Sequence, residues 1–386
     1  MERLYWNNDW KFAETWEEAM KEAVYPENEM EDVRLPHTCK ELPYHYFDEH
    51  AYQMLCGYRR HFMAPEAWQG KSVELTFEGV AHDAVVYVNG TEVKAHHCGY
   101  TAFFVEIAKY LKYGEDNVLA VRVDSRENLN IPPFGYAIDY MTFGGMYREV
   151  YVQVRNKTHL ADVFIKPQIH PLQVTTEITV QNISDGITLQ QEIRKKGEGA
   201  YSPLGKKPVK QTNVQTVFPV QEICLWEPEN PHLYEIRTSL WKNGEMIDAR
   251  VDITGFREAG FRKDGFYLNG KKLRLRGLNR HQSYPYVGYA APASMQIFDA
   301  DILKKELGVN AVRPSHYPQS QDFIRRCDEI GLLVFTEFPG WQHIGGEEWK
   351  RQAVQNLKEM IVQYRNHPSI ILWGVRINES QDDDVF

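Results

Sequence analysis

Apolar residues in the first part of the chain recur in short runs of period two. Such runs, bounded by turn residues, predict β-strands at 58–62, 72–80, 84–93, 101–107, 117–123 and 147–155. Asn89-Gly90 predicts a two-residue hairpin inside one run, because both turn positions need a positive φ. Many short strands of this kind are typical of a sandwich or jelly roll. The pattern therefore predicts an all-β domain over residues 1–157, either a sandwich or a jelly roll.

One segment of this first block has no period of its own. Residues 127–145, ENLNIPPFGYAIDYMTFGG, form a long stretch rich in aromatic side chains. A loop of this length is usually functional or disordered, and the aromatic content argues against disorder. We therefore expect a functional loop at 127–145.

The second block, residues 158–257, again alternates between apolar and polar positions. Clear runs lie at 174–180 and 234–241, and Asn243-Gly244 marks another hairpin. Short strands over a block of this length predict an immunoglobulin-like β-sandwich. The Gly-, Lys- and Pro-rich stretch 195–208 is interpreted as a solvated loop. A spacer is the expected role of this block.

From residue 258 the period changes to an alternation of strands and helices. After a hairpin at Asn269-Gly270, strands are predicted at 273–281, 310–317, 332–337 and 369–375, and helices at 295–308, 320–331 and 347–367. Strands joined by helical crossovers form a parallel sheet. A (β/α)₈ barrel needs eight such units and these residues supply four. The fold class is thus multidomain β plus α/β, with residues 258–386 as the first half of a TIM barrel.

Polar residues follow each predicted barrel strand. The sets are Asn279-Arg280-His281, Arg313 with His316, Glu337, and Asn378-Glu379. Singly, each has a structural alternative: His316 as a core histidine, Arg313 as a partner of Glu337, Glu379 as a solvated charge. The carboxyl ends of parallel barrel strands meet at one rim, where active sites lie. Joint function at that rim is therefore the favoured interpretation.

The residue types at this rim fit glycoside hydrolysis. The sequence contains no G-x-S-x-G, Gly-rich phosphate loop or H-E-x-x-H motif. Glycoside hydrolysis uses two carboxyl groups, of which one donates a proton and, in the retaining mechanism, the other attacks the anomeric carbon. Asn378, next to Glu379, is placed to hydrogen-bond a sugar hydroxyl.

Charge and cysteine usage narrow the classes of partner. The net charge of −9 argues against a nucleic-acid or anionic-membrane partner. The five cysteines are widely spaced without a C-x-x-C pair, which argues against a zinc site or a disulfide framework. The N-terminus lacks an apolar signal region, and no apolar segment is long enough to cross a bilayer. A cytoplasmic location is predicted.

Two long stretches resemble the signature regions of glycoside hydrolase family 2. They are NAVRPSHYPQSQDFIRRCDEIGLLVF and NHPSIILWGVRINE; VRLPHT, FGGMYREV, LWEPENPHLYEIRTSL and LNGKKLRLRGLNRH are also similar to that family. The resemblance covers essentially the whole chain in collinear order. It implies a sugar-binding jelly roll, an immunoglobulin-like domain and a catalytic (β/α)₈ barrel. It also implies a retaining exo-β-glycosidase acting on terminal β-linked sugars.

Residue by residue, the resemblance implies roles for the rim. Glu379 is similar to the general acid/base of the family, and Asn378 to the partner of the substrate 2-hydroxyl. The nucleophile of the family is a glutamate on the seventh barrel strand, so it is expected outside these residues. Glu337 is a poor substitute, because the acid and nucleophile strands lie across the barrel in this family. We therefore expect the chain to be the N-terminal part of a longer enzyme.

The resemblance extends to the substrate contacts. His281 and His316 are similar to sugar-contacting histidines, and Arg313 to the arginine that supports the nucleophile. Asp139 is similar to an aspartate that the sugar-binding domain sends into the active site. Trp341 is a candidate for the wall of the sugar subsite, with a buried structural tryptophan as the alternative.

The resemblance leaves the substrate open between related sugars. A β-galactosidase is the first interpretation and a β-glucuronidase the second; β-galacturonidase, β-mannosidase and a non-catalytic carbohydrate-binding fragment are further alternatives. Gln342 stands near the place where some β-galactosidases carry a magnesium-binding glutamate. The sequence therefore supports no cofactor or metal, and a divalent cation or Na⁺ stays an alternative. A carbohydrate substrate is the expected partner, and the full-length enzyme is expected to be a homo-oligomer.

Overall fold

The computed structural model describes residues 3–45 and 48–384. The strands within these ranges are β1 Leu4–Tyr5, β2 Trp10–Ala13, β3 Glu31–Val33, β4 Leu55–Met63, β5 Ser72–Phe77, β6 Asp83–Val88, β7 Thr91–His96, β8 Phe103–Glu106, β9 Asp116–Asp124, β10 Val150–Arg155, β11 His159–Ile169, β12 Leu172–Gln181, β13 Ile187–Lys195, β14 Ser202–Pro208, β15 Asn213–Pro219, β16 Tyr234–Lys242, β17 Glu245–Thr254, β18 Ala259–Arg262, β19 Gly265–Leu268, β20 Lys271–Leu273, β21 Gly277–Arg280, β22 Ala311–Pro314, β23 Leu333–Glu337 and β24 Ile370–Gly374. The helices are α1 Ala293–Asp301, which continues into a π-helical turn at Ile302–Glu306, α2 Gln321–Ile330 and α3 Glu347–Tyr364. Short 3₁₀ helices lie at Glu18–Lys21, Glu49–Tyr52, Glu66–Trp68 and Ala108–Tyr110.

Strands β1 to β10 form the two facing sheets of a jelly roll. Their orders are β1-β10-β5-β8 and β3-β2-β4-β9-β6-β7, and every pairing is antiparallel. Trp10, Tyr58 and Phe77 are completely buried between them. The predicted hairpin is confirmed, since Asn89 and Gly90 have φ angles of 50° and 82° between β6 and β7. Residues 127–145 contain no helix or strand, as expected for a loop.

The second block is a sandwich of sheets β11-β12-β15 and β14-β13-β16-β17, which confirms the immunoglobulin-like prediction. The interpretation of 195–208 as a loop is wrong for its second half, because β14 pairs antiparallel with β13. β14 is an edge strand with exposed Lys206 and Lys207, and edge strands tolerate the lysine and proline that suggested a loop. A Cβ at Gly205 would lie 2.3 Å from the Phe218 ring, so this glycine allows the two sheets to approach closely.

The third block begins with a meander, β18-β19-β20, and continues as a four-stranded parallel sheet. The sheet order β21-β22-β23-β24 follows the chain, as predicted for half of a (β/α)₈ barrel. The predicted strand 273–281 is shorter than expected, because Leu273 belongs to the meander and only Gly277–Arg280 joins the sheet. Ser320 accepts a bond from the Asp322 amide at the start of α2, and Gly331 ends that helix at φ 70°.

The core of each block is apolar, and the blocks also share core residues. Tyr289 and Tyr317 of the barrel pack within the jelly-roll core, where Tyr317 stacks on Tyr100 at 4.5 Å. Trp226 of the immunoglobulin-like block packs with Leu333 of the barrel. Among the described helices, none combines the length and the apolar character that a bilayer span requires.

Candidate active site

The ends of three barrel strands are joined by the guanidinium of Arg313. Arg313 lies in β22 and donates from Nε to Glu337 Oε1 at 2.7 Å, at the end of β23. Its Nη2 donates to Asn378 Oδ1 at 3.0 Å, just after β24. The structure thus brings Arg313, Glu337 and Asn378 together at the carboxyl ends of parallel strands, as the sequence predicted.

The second carboxylate oxygen of Glu337 is bound by a histidine. His316 Nδ1 lies 2.9 Å from Glu337 Oε2, and the Glu337 side chain is only 1% exposed. A buried carboxylate is tolerated when charged or polar partners hydrogen-bond it. The structural pairing of Arg313 with Glu337 is therefore present. Because its side chain is buried, Glu337 holds Arg313 and His316 in place and is not exposed to a substrate.

Aromatic and imidazole rings form a cage beside this network. The ring of Tyr140, from the long jelly-roll loop, lies close to four other rings. The distances between ring centroids are 5.3 to 6.1 Å, to His281, His316, Tyr317 and Trp341. The aromatic cage consists of Tyr140, His281, His316, Tyr317 and Trp341. The Tyr140 hydroxyl donates to the Gly340 carbonyl at 3.1 Å. Burial raises the pKa of Tyr140 well above its usual value and that of Tyr317 to about 12, so both hydroxyls stay protonated.

His281 sits at the edge of the cage with part of its ring in solvent. Its Nδ1 lies 3.2 Å from the Tyr317 hydroxyl, and its ring lies 5.7 Å from that of His316. Partial burial and the neighbouring His316 lower the pKa of His281, whereas the charge of Asp139 opposes this. A neutral imidazole at neutral pH can exchange hydrogen bonds with sugar hydroxyls.

The two exposed carboxylates of the candidate site are Asp139 and Glu379. Asp139 precedes Tyr140 in the jelly-roll loop, and Glu379 follows Asn378. The residue after Glu379 is bound to the cage, because Ser380 Oγ donates to the Trp341 carbonyl at 3.0 Å. Trp341 is only 7% exposed, as expected for a buried structural tryptophan. It is also a member of the aromatic cage, where its ring lies 5.2 Å from that of His316.

Three family models match the chain in succession. They are described as "Glycosyl hydrolases family 2, sugar binding domain" over residues 31–155, "Glycosyl hydrolases family 2" over 158–257, and "Glycosyl hydrolases family 2, TIM barrel domain" over 260–385. Together they cover the three blocks in the order that the structure shows. The chain belongs to glycosyl hydrolase family 2.

Similar proteins in this family are longer than the chain. A β-galactosidase of Thermoanaerobacter pseudethanolicus is 47% identical over 99% of this chain and 52% of its own length. A β-galactosidase of Thermoanaerobacterium thermosulfurigenes is 46% identical over 98% of this chain and 54% of its own length. The crystal structure of a Bacteroides uniformis β-glucuronidase is similar with a TM-score of 0.89 and 30% identity, over 96% of this chain and 46% of that one. The chain spans about half the length of the curated relatives it matches.

Two members of the predicted rim set, Asn279 and Arg280, do not join the aromatic cage. Arg280 is buried and donates from Nε to Asp299 at 2.9 Å and from Nη2 to Gln296 at 2.9 Å. The side chain therefore points into the packing between β21 and α1. Asn279, the residue before it, is exposed. Of the triplet after the first strand, only His281 joins the cage.

Sequence reasoning missed the residues that join the jelly roll to the barrel of this family 2 chain. Tyr140 was overlooked beside Asp139, although the aromatic character of its loop was the available signal. Arg148 is buried and donates from Nη2 to the Pro318 carbonyl at 2.8 Å and to Gln282 Oε1 at 3.2 Å. Gln282 follows His281 in the chain, so Arg148 supports the cage from behind. A partner that is a backbone carbonyl leaves no signal in the sequence.

The donor atoms at the candidate site do not match those that a magnesium ion requires. Within residues 3–45 and 48–384, no three His, Cys, Asp or Glu side chains are grouped as a metal site requires. Gln342, near the position of a magnesium-binding glutamate in some β-galactosidases, has an exposed side chain. These residues do not fit a magnesium site.

Proposed function

We propose that this chain carries the general acid/base and sugar-binding residues of a retaining exo-β-glycosidase that acts on terminal β-galactosides. The observation that carries the proposal is the contact of Arg313 with both Glu337 and Asn378. It fixes the segment that bears Glu379 at the carboxyl end of a parallel sheet, which is the catalytic end of such barrels. The names of the two β-galactosidases at 47% and 46% identity support the same assignment.

In the proposed mechanism Glu379 acts twice. It first protonates the leaving glycosidic oxygen while a nucleophilic carboxylate attacks the anomeric carbon and forms a glycosyl-enzyme. It then removes a proton from the water that attacks this intermediate, which releases the sugar with retained configuration. Glu337 is unsuited to the attack because its side chain is only 1% exposed and it pairs with Arg313. The proposed nucleophile is therefore a carboxylate outside these residues.

The proposed role of Asn378 follows from its partner. Arginine only donates, so the amide oxygen of Asn378 must face Arg313. The amide NH₂ group is then directed elsewhere and is suited to donate to a sugar 2-hydroxyl. His281, His316 and Trp341 are proposed to contact the remaining faces of the sugar ring.

The charges at the site favour a neutral sugar. Asp139 places a carboxylate at the exposed rim, where it is proposed to accept from sugar hydroxyls, whereas Glu379 as the proposed proton donor is neutral when the substrate binds. The guanidinium of Arg313 is already engaged by Glu337 and Asn378. A uronate carboxylate would be repelled by this arrangement. A β-glucuronidase is nevertheless the second candidate, because the TM-score to the Bacteroides uniformis β-glucuronidase is 0.89.

A panel of nitrophenyl glycosides tests the proposal on the complete gene product that carries this sequence. We expect the highest kcat/KM on the β-galactoside, in comparison with the β-glucuronide, β-galacturonide and β-mannoside. A higher kcat/KM on a uronide would overturn the galactoside assignment in favour of the second candidate. Saccharide binding without turnover of any member would instead indicate a carbohydrate-binding protein.

We further propose domain boundaries at 157/158 and 257/258, a cytoplasmic location and a homo-oligomeric assembly. The boundaries are supported by the gaps between β10 and β11 and between β17 and β18. The location is supported by the cysteines, all free thiols, of which four are buried. Limited proteolysis, cell fractionation and light scattering test these three statements in turn.

A further inference from the structure

Three consecutive backbone carbonyls lie between the jelly-roll loop and the segment that bears Glu379. The Gly340 carbonyl accepts from the Tyr140 hydroxyl at 3.1 Å, and the Trp341 carbonyl from Ser380 Oγ at 3.0 Å. The Gln342 carbonyl accepts from the Gln381 amide at 2.9 Å. We call these three carbonyls the carbonyl bridge. One of its partners belongs to the jelly roll and the other two directly follow Glu379.

The jelly-roll loop contacts the same barrel loop at a second point. Gly135 has a φ of 130°, and a Cβ there would lie 2.0 Å from the His343 ring. The neighbouring Tyr136 packs edge-on against His343 with ring centroids 5.1 Å apart. The jelly roll therefore contacts the barrel loop at Gly340, the first residue of the carbonyl bridge, and again at His343, just after its last residue.

The segment that bears Glu379 needs such support. It follows the end of β24 and contains no helix or strand up to residue 384. Glu379 itself is exposed, so its own packing does not fix its carboxylate. A displacement of about 1 Å costs a catalytic group on the order of 100-fold in rate. The hydrogen bonds of Ser380 and Gln381 supply the restraint immediately beside the acid.

We propose that Tyr140 is a positioning residue for Glu379 and acts through the carbonyl bridge. The Tyr140 hydroxyl fixes the Gly340 carbonyl, and the two following carbonyls then hold Ser380 and Gln381. The jelly roll thereby sets the position of the proton donor as well as contributing Asp139. This inference rests on the proposed role of Glu379 as general acid.

The test separates proton donation from general damage by varying the leaving group. Tyr140→Phe removes the hydroxyl and keeps the ring in the cage, and Ser380→Ala removes the second donor. Phenyl β-galactoside has a basic leaving group that needs the acid, whereas 2,4-dinitrophenyl β-galactoside does not. We expect each variant to lose about tenfold in kcat/KM on the phenyl substrate and less than about twofold on the dinitrophenyl substrate.

A matched control is Tyr113→Phe. The Tyr113 hydroxyl also donates to a carbonyl, that of Ala108 at 2.8 Å, but within the jelly roll. This variant should retain wild-type kcat/KM on both substrates. The double variant Tyr140→Phe/Ser380→Ala should lose less than the product of the single losses, because both bonds restrain one loop.

Two results would overturn the inference. One is an equal loss on both substrates, which indicates a general defect; the other is no loss with Tyr140→Phe. A wild-type protein that is inert on both galactosides would instead reject the proposed function, and the positioning role would fall with it. Melting temperatures of the variants show whether each remains folded.

Discussion

The two β-sandwiches contact opposite ends of the same parallel sheet. The jelly roll reaches the carboxyl ends, where Tyr140 binds Gly340 and Arg148 binds Pro318. The immunoglobulin-like block reaches segments that precede the strands. There Asn366, just before β24, donates to the Val163 carbonyl at 2.9 Å.

This difference shows how similar structures come to have different roles. Both sandwiches consist of antiparallel strands around an apolar core, and both are anchored to the barrel by buried aromatic residues and hydrogen bonds. The chemistry of a barrel lies at the carboxyl ends of its strands. A domain that touches those ends can act on the reaction, whereas one at the amino ends can only stabilise the fold.

The largest effect is expected from Glu379→Gln at the carboxyl-end rim. Loss of the proposed proton donor should lower kcat/KM on a phenyl β-galactoside by about 10³–10⁴-fold, or about 4–5.5 kcal/mol, because the leaving group departs unprotonated. Steady-state kinetics measure this. The exposed Glu222 of the immunoglobulin-like block provides the control Glu222→Gln, which should behave as wild type. Wild-type kcat/KM for Glu379→Gln would show that the carboxyl-end rim has no catalytic role, and the proposed difference between the two sandwiches would then fail.

A combined effect on stability and activity is expected from Arg148→Met. The change leaves the oxygens of Gln282, Pro318 and Tyr100 buried without their donor, so the free energy of unfolding should fall by about 3–4 kcal/mol. The cage should also loosen, with about a tenfold loss in kcat/KM. Urea denaturation and kinetics measure the two effects. Exposed Arg262→Met is the control, and a stability loss without any kinetic loss would contradict the jelly-roll role.

A pH-dependent effect is expected where the jelly roll meets α2. Burial raises the pKa of Glu78 to about 7, although Arg325 and Arg3 act to lower it; Glu149 and Asp322 also raise it. Because the folded-state pKa lies above the unfolded value, the contribution of Glu78 is present below about pH 4.5 and lost as pH rises through about 7. Glu78→Gln should therefore raise the free energy of unfolding by about 3 kcal/mol at pH 8 and leave it nearly unchanged at pH 4.5.

Urea denaturation of wild type and Glu78→Gln at the two pH values decides this prediction. An equal change in the free energy of unfolding at both pH values would show that the Glu78 carboxyl does not titrate between them. The contact made by Asn366 on the other sandwich is uncharged and should show no such dependence.

The smallest effect is expected from Asn366→Ala on the immunoglobulin-like side. The side chain donates to the Val163 carbonyl and accepts from the Ile165 amide, both at 2.9 Å. Its removal should lower the free energy of unfolding by about 2 kcal/mol with kcat/KM unchanged. Exposed Lys358→Ala on α3 is the control for thermal unfolding. A marked fall in kcat/KM would contradict the assignment of this sandwich to stability alone.

The sequence was sufficient for most of the fold because its signals are local. Hairpin glycines, the cap at Ser320 and the stop at Gly331 all depend on neighbouring residues. β14 was missed because an edge strand can carry the lysine and proline of a loop. The start of the first barrel strand was misplaced because Leu273 pairs with Phe266 of the meander. Apolar periodicity does not encode this contact.

The candidate site was predicted where side chains follow strand ends, and missed where partners are distant. Arg313, His316, Glu337 and Asn378 converge because parallel strands deliver their ends to one edge. Tyr140 and Gly340 are 200 residues apart, and one of the two groups is a carbonyl. Arg280 shows the reverse error, since a polar residue at a strand end can turn into the packing. The catalytic roles of these residues stay predictions until the variants are measured.

The carbonyl bridge also bears on how such an enzyme can diversify. Its acceptors are main-chain atoms, and the side chain of Gln342 is exposed. This side chain can therefore be exchanged without removing an acceptor. That position lies beside the segment that bears the proposed proton donor, because the Gln342 carbonyl accepts from the Gln381 amide at 2.9 Å. Substitutions at Gln342 can therefore change the surface beside that segment while the three main-chain acceptors stay in place.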